Sequence, residues 1–138
     1  MGASNIGDSS EPEPSELRGT RVLIVEDSWD VSAGLKTLLE AHGAEVLGPV
    51  ATASDARRAS SQSIPDVALV DINLRTGELS YGLIDEMRAL GIPIVVITGY
   101  ADTSPLAGAA VVVLQKPFSE AELLAALRSA KRAGGLAA

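Results

Sequence analysis

Apolar and polar positions alternate in blocks from Arg21 onward. Val22-Leu23-Ile24-Val25 is a continuous apolar run, the pattern of a strand buried on both faces. Val31, Leu35, Leu38 and Leu39 then recur at helical spacing over 29–42, closed by His42 and Gly43. Residues 45–50 predict a weaker second strand and residues 54–62 a short helix. Residues 66–71 predict a third buried strand, introduced by Pro65, and a loop with Thr76-Gly77 leads to a helix over 82–90. Residues 92–98 predict a fourth strand with Pro93 near its start, where proline is tolerated. Residues 111–114 predict a fifth. A last helix is predicted over 119–132, with Ser119 and Glu122 as a capping box and Gly134-Gly135 as its stop.

Strands alternating with helices imply a parallel sheet with right-handed crossovers. Five such units are too few for a closed eight-strand barrel. The expected fold is α/β: an open, doubly wound, flavodoxin-like sheet in the order 2-1-3-4-5.

Composition narrows the function. The chain has 138 residues, the size of one domain, and an ordinary charged fraction of 21%. The net charge of −7 opposes non-specific nucleic-acid binding and docking on an anionic membrane. No cysteine is present, which excludes disulfides and thiolate metal sites. No apolar run approaches the roughly 20 residues of a membrane span, so no membrane insertion is expected. Nothing resembles a secretory signal, and Ile6 breaks a myristoylation pattern, so the cytoplasm is the expected compartment. Residues 1–19 carry four acids and two prolines without periodicity and read as a disordered acidic tail. The domain is expected over 20–132, followed by a disordered tail at 133–138. That arithmetic leaves no room for a second, effector domain.

Chemistry in such sheets gathers beyond the carboxyl ends of the strands. Strand one ends in Glu26-Asp27, strand three in Asp71 and strand four in Thr98-Gly99, while strand five runs into Lys116-Pro117-Phe118. Taken singly, each has a bland reading: a turn, a helix cap, a solvated lysine. Together they lie on one edge, and the 2-1-3 order brings Glu26, Asp27 and Asp71 within reach of one another. Clustered carboxylates repel, and a hard divalent cation such as Mg²⁺ relieves that. A lysine and a hydroxyl opposite would cradle a phosphoryl group, with Asp71 as the central nucleophile.

These motifs, in this order, resemble the receiver domains of two-component response regulators over residues 20–132. The resemblance implies Asp71 as phosphoacceptor, taking its phosphoryl group from a sensor histidine kinase or a histidine phosphotransfer protein. It implies Mg²⁺ held by Glu26, Asp27, Asp71 and the backbone carbonyl of Asn73. Thr98 and Lys116 would bind phosphate oxygens, and the Lys116-Pro117 bond would be cis. A stand-alone regulator signalling to a downstream protein is expected, catalysing only its own phosphorylation and slow dephosphorylation. A phosphate sink or a docking module is the alternative. An aspartate-based phosphohydrolase would want an acid/base where Asn73 stands, and a flavodoxin would want a phosphate loop in place of Glu26-Asp27-Ser28-Trp29. His42, the only histidine, reads as a helix cap, which argues against a phosphohistidine donor. Trp29, two residues after Asp27, is expected to report on the metal.

Two features depart from typical receivers. Val113 stands where they carry an aromatic, three positions before the lysine. Thr98 and Lys116 are 18 positions apart, about one helical turn fewer than typical. The fourth helix is therefore expected to be short, from Ser104-Pro105 to Gly108. These traits resemble a subgroup of single-domain alphaproteobacterial receivers with a Phe-Ala-Thr-Gly segment, here Val96-Ile97-Thr98-Gly99. Gly99 and Tyr100 are the candidate replacement switch.

Overall fold

The computed structural model describes residues 16–74, 80–99 and 111–137. Its strands are β1 (Arg21–Val25), β2 (Glu45–Val50), β3 (Val67–Asp71), β4 (Ile94–Thr98) and β5 (Val112–Gln115). The helices among the described residues are α1 (Trp29–Ala41), α2 (Ala53–Gln62), α3 (Tyr81–Ala89) and α4 (Glu120–Ala137). The sheet is parallel throughout, in the order β2-β1-β3-β4-β5. This is the order the pattern implied. The short helix expected between the fourth and fifth strands falls outside the described residues.

Two apolar layers follow from the period of the strands, whose successive side chains face opposite ways. Val22, Ile24, Leu69 and Ile97 pack under α1 and α4, against Leu35, Leu39, Leu123 and Leu127. Leu23, Val25, Val70 and Val96 face the other way, toward Ala56 of α2 and Leu83, Ile84 and Met87 of α3. Burial on both faces explains why β1, β3 and β4 read as unbroken apolar runs.

Register sets the height of the site. Val25 pairs with Val70, Asp71 with Ile97, and Thr98 with Gln115. The residues just beyond Val25, Val70 and Gln115 therefore line one edge. On the outer side, β2 carries an extra residue between its pairings Leu23↔Leu47 and Val25↔Val50. Gly48 adopts φ +87 there, and a Cβ would stand 2.8 Å from the Val50 nitrogen, so glycine is required. The Gly48-Pro49 bond is cis. The bulge delivers the Val50 carbonyl to the Glu26 N–H at 2.9 Å, fixing the backbone of the first acid.

Both expected tail boundaries are corrected. Residues 16–19 form a turn, and Leu17 is 1% exposed in the α1–α4 core layer. Its N–H donates to the His42 carbonyl at 2.8 Å, and Glu16 pairs with Arg128. One apolar residue in a polar segment has no period by which to announce itself. At the other end, α4 passes through Gly134-Gly135 and ends at Ala137. Each glycine costs a helix only about 1 kcal/mol relative to alanine, and Ala133, Leu136 and Ala137 around them are strong helix formers. The capping box is present: the Ser119 N–H donates to Glu122 Oε1 at 2.8 Å and the Glu122 N–H to Ser119 Oγ at 3.1 Å. No helix among the described residues is long and apolar enough to cross a membrane.

Candidate functional site

Asp71 is the last residue of β3 and is only 5% exposed. The N–H of Asn73 donates to its Oδ1 at 2.9 Å, and Lys116 Nζ donates to its Oδ2 at 3.0 Å. Both carboxylate oxygens are thus aimed before any ligand arrives. Lys116 follows β5, and its own N–H donates to the Thr98 carbonyl at 2.8 Å, tying the lysine to the end of β4. Thr98 is buried at that end.

Glu26 is buried beside Asp71. Its Oε2 accepts from the Ser28 N–H at 3.1 Å. Its Oε1 lies 3.5 Å from Lys116 Nζ, an ion-pair distance outside good hydrogen-bond geometry. Glu26 Oε1 and Asp27 Oδ2 are buried oxygens with no hydrogen-bond partner among the described residues. Burial pushes the Glu26 carboxyl up to about 7. The neighbouring Asp71 carboxylate adds to this, since a protonated Glu26 can hydrogen-bond it and a charged one is repelled; the Ser28 N–H and Lys116 offset it in part. Burial pulls the Lys116 ammonium down, but its hydrogen bond to Asp71 and the charges of Glu26 and Asp71 win, and the net shift is upward.

Orphaned buried carboxylate oxygens are expensive unless something pairs with them. Formally, three carboxylates and one ammonium sum to −2, the charge that one divalent cation cancels. Among the described residues no three acids are already gathered into a metal cage.

A family model described as the response regulator receiver domain matches residues 22–128. This chain belongs to the response regulator receiver domains. The receiver is 28% identical over 116 residues to the phyllosphere-induced regulator PhyR of Methylorubrum extorquens, covering 80% of this chain and 43% of that protein. It is 32% identical over 121 residues to the transcriptional regulatory protein PrrA of Mycobacterium tuberculosis, covering 83% and 51%. The chain thus spans about half the length of the curated relatives it matches. Among solved structures, the receiver of a modulated diguanylate cyclase from Desulfovibrio desulfuricans superposes with a TM-score of 0.77 at 29% identity, over 86% of this chain and 98% of that one. The receiver domain of Erythrobacter litoralis PhyR gives 0.71 at 26%, over 83% and 91%. Receivers are signalling domains rather than enzymes acting on external substrates.

Glu26, Asp27, Asp71, Thr98 and Lys116 all stand on one edge of this receiver, where the strand-end argument put them, and Asn73, which the family resemblance added, lies two residues beyond Asp71. The Lys116-Pro117 bond is cis. Gly99 is half-buried and its carbonyl accepts from Gln115 Nε2 at 3.3 Å, while Tyr100 lies outside the described residues. Val113 is 46% exposed, and Phe118 packs against the α1–α4 layer. Trp29 is exposed at the first residue of α1. His42 caps α1 as read from the sequence, and it is also buried with its Nε2 2.9 Å from Glu120 Oε2, a link to α4 that no local pattern announced. Ser80 was also missed as a neighbour of Asp71. Serine before an apolar helical run signals a cap, not a contact nine residues back.

Proposed function

We propose that this receiver, in the cytoplasm, accepts a phosphoryl group on Asp71 from the phosphohistidine of a sensor kinase or histidine phosphotransfer protein, with Mg²⁺ bound, and signals through contacts with a downstream protein. The carrying observation is a buried carboxylate held between Asn73 N–H and Lys116 Nζ beside two buried carboxylate oxygens that accept no hydrogen bond among the described residues.

In the transfer, an Asp71 carboxylate oxygen forms a bond to phosphorus as the P–N bond to the donor imidazole breaks. The electron pair of that bond stays on the imidazole nitrogen. Glu26, Asp27, Asp71 and the Asn73 carbonyl would hold Mg²⁺, which supplies charge neutralisation for the phosphoryl oxygens. Lys116, already 3.0 Å from Asp71, neutralises part of the charge that develops there and remains to bind a phosphate oxygen. The Thr98 hydroxyl would bind another. The Asn73 side chain provides no acid or base, so loss of the phosphoryl group to water is slow. With Val113 in place of an aromatic, Gly99-Tyr100 is the proposed switch segment.

Incubation with Mg²⁺ and acetyl phosphate, followed by intact mass, tests this. The wild type should gain about 80 Da, one phosphoryl group, and Asp71→Asn should gain nothing. A wild type unmodified by acetyl phosphate and by a phosphorylated kinase alike would reject the reading.

A further inference from the structure

Ser80 is fully buried and directly precedes α3, the place of a helix N-cap. A serine there ordinarily accepts from an N–H of the first turn. Ser80 makes no side-chain cap bond. Its hydroxyl instead donates to the main-chain carbonyl of Asp71 at 2.7 Å, the short end of the O–H···O range. Its N–H donates to the Ile72 carbonyl at 3.1 Å, and its own carbonyl accepts from the Ile84 N–H at 2.9 Å. The first turn of α3 is therefore fastened to the end of β3 at two adjacent carbonyls.

From this geometry we infer that Ser80 is a positioning residue for the phosphoacceptor. The inference rests on the reading of Asp71 given above. The Asn73 N–H reaches Asp71 Oδ1 only while residues 71–73 keep their tight turn. The Asp71 carbonyl is the pivot of that turn, and Ser80 holds it where no water competes. Lys116 aims the carboxylate from one side; Ser80, acting through the backbone and Asn73, aims it from the other. Near-attack geometry is sensitive to small misplacements, so loosening one side should slow transfer without changing donor affinity.

The test compares wild type, Ser80→Ala and Ser80→Thr at saturating Mg²⁺ over a range of acetyl phosphate concentrations. Ser80→Ala removes one oxygen, keeps the Cβ and has no cap bond to lose. Its limiting phosphorylation rate should fall about tenfold, the scale of one buried hydrogen bond, with the half-saturating donor concentration unchanged. Ser80→Thr, which keeps the hydroxyl, should recover to within about threefold of wild type. A Ser80→Ala rate within twofold of wild type would overturn the inference. So would loss of its cooperative thermal melt, which would make the role structural. Amide exchange in the metal-free protein supplies a readout independent of phosphorylation. The Ile72 and Asn73 amides should exchange faster in Ser80→Ala while those of β1 and β4 stay unchanged. If the wild type takes up no phosphoryl group, the proposed function fails. Amide exchange alone then decides the clamp, and unchanged rates at Ile72 and Asn73 would overturn it.

Discussion

The two edges of the sheet treat polar groups in opposite ways. At the edge where the strands begin, Asp66 accepts from the Arg21 N–H at 2.8 Å and returns its own N–H to the Arg21 carbonyl at 2.8 Å. Thr20 receives Lys131 Nζ at 2.8 Å, and Leu17 seals the layer beneath. At the edge where the strands end, Glu26 Oε1 and Asp27 Oδ2 are buried with no hydrogen-bond partner among the described residues, and Glu26 is pushed up to about 7. Each edge interrupts the same apolar strands. The first is satisfied by its own chain. The second holds two carboxylate oxygens that the described residues leave without a hydrogen bond. Departures from local consistency of this kind gather where a protein works rather than where it merely stands.

The sharpest way to break the contrast is to remove the cation that restrains the acidic edge. Lys116→Ala should lower the phosphorylation rate about 10²-fold or more, the scale of losing one charge-stabilising donor. Single-turnover labelling with a small phosphodonor measures it. The same substitution leaves Asp71 and Glu26 facing each other, so the metal-free variant should also lose stability at neutral pH.

Leu17→Ala should act on the opposite edge alone. It removes a fully buried side chain and should cost about 2–4 kcal/mol in a denaturant melt, while the phosphorylation rate, measured below the melting range, stays within about twofold of wild type. A large change in rate would show that the two edges are coupled.

Proton linkage should separate the edges more gently. The Glu26 carboxyl is higher in the folded chain than its ordinary value of 4.5. The folded state therefore binds the extra proton between about 4.5 and 7, and stability falls as pH rises through that window. The metal-free receiver should lose on the order of 1–3 kcal/mol from this group between pH 5 and 8. Mg²⁺ should reverse the loss at pH 8, where it takes the place of the proton. Melts at the two pH values, with and without the metal, check the sign. The raised Lys116 ammonium contributes stability that is lost only above its ordinary value of 10.5, so it does not blur the comparison.

The smallest expected effect is optical. Trp29 is 75% exposed at the start of α1, two residues from Asp27. Its fluorescence should change on Mg²⁺ addition, and Trp29→Phe should alter stability by no more than about 0.5 kcal/mol. Unchanged emission through saturating metal would place the cation elsewhere.

The legible parts of this receiver were those carried by long runs. β1, β3 and β4 are buried on both faces, so their apolar runs are unbroken, and the polar residues ending them mark the site edge. That logic picked out Glu26, Asp27, Asp71 and Thr98 as candidates, while Lys116 follows the partly buried edge strand β5. What stayed hidden depends on contacts between distant residues. Leu17 is a lone apolar residue whose partners lie on α1 and α4. Residues 45–50 read only as a weak strand, and the bulge at Gly48-Pro49 shows itself once Val50 is seen to hold the Glu26 N–H. Ser80 carries the signature of a helix cap, and only the fold shows its hydroxyl turned to Asp71. The length of α4 was misjudged because two glycines weaken a helix without ending it.

The central claim is that the edge where the strands end exists to make Asp71 an acceptor. Reduction of the phosphorylated protein with borohydride tests it most directly, since hydride converts an acyl phosphate to an alcohol and so an aspartyl phosphate to homoserine. Peptide mapping after treatment with Mg²⁺ and a phosphodonor should find homoserine at position 71 and nowhere else. Homoserine at position 27, 2-amino-5-hydroxypentanoic acid at position 26, or no reduced residue at all would contradict the account.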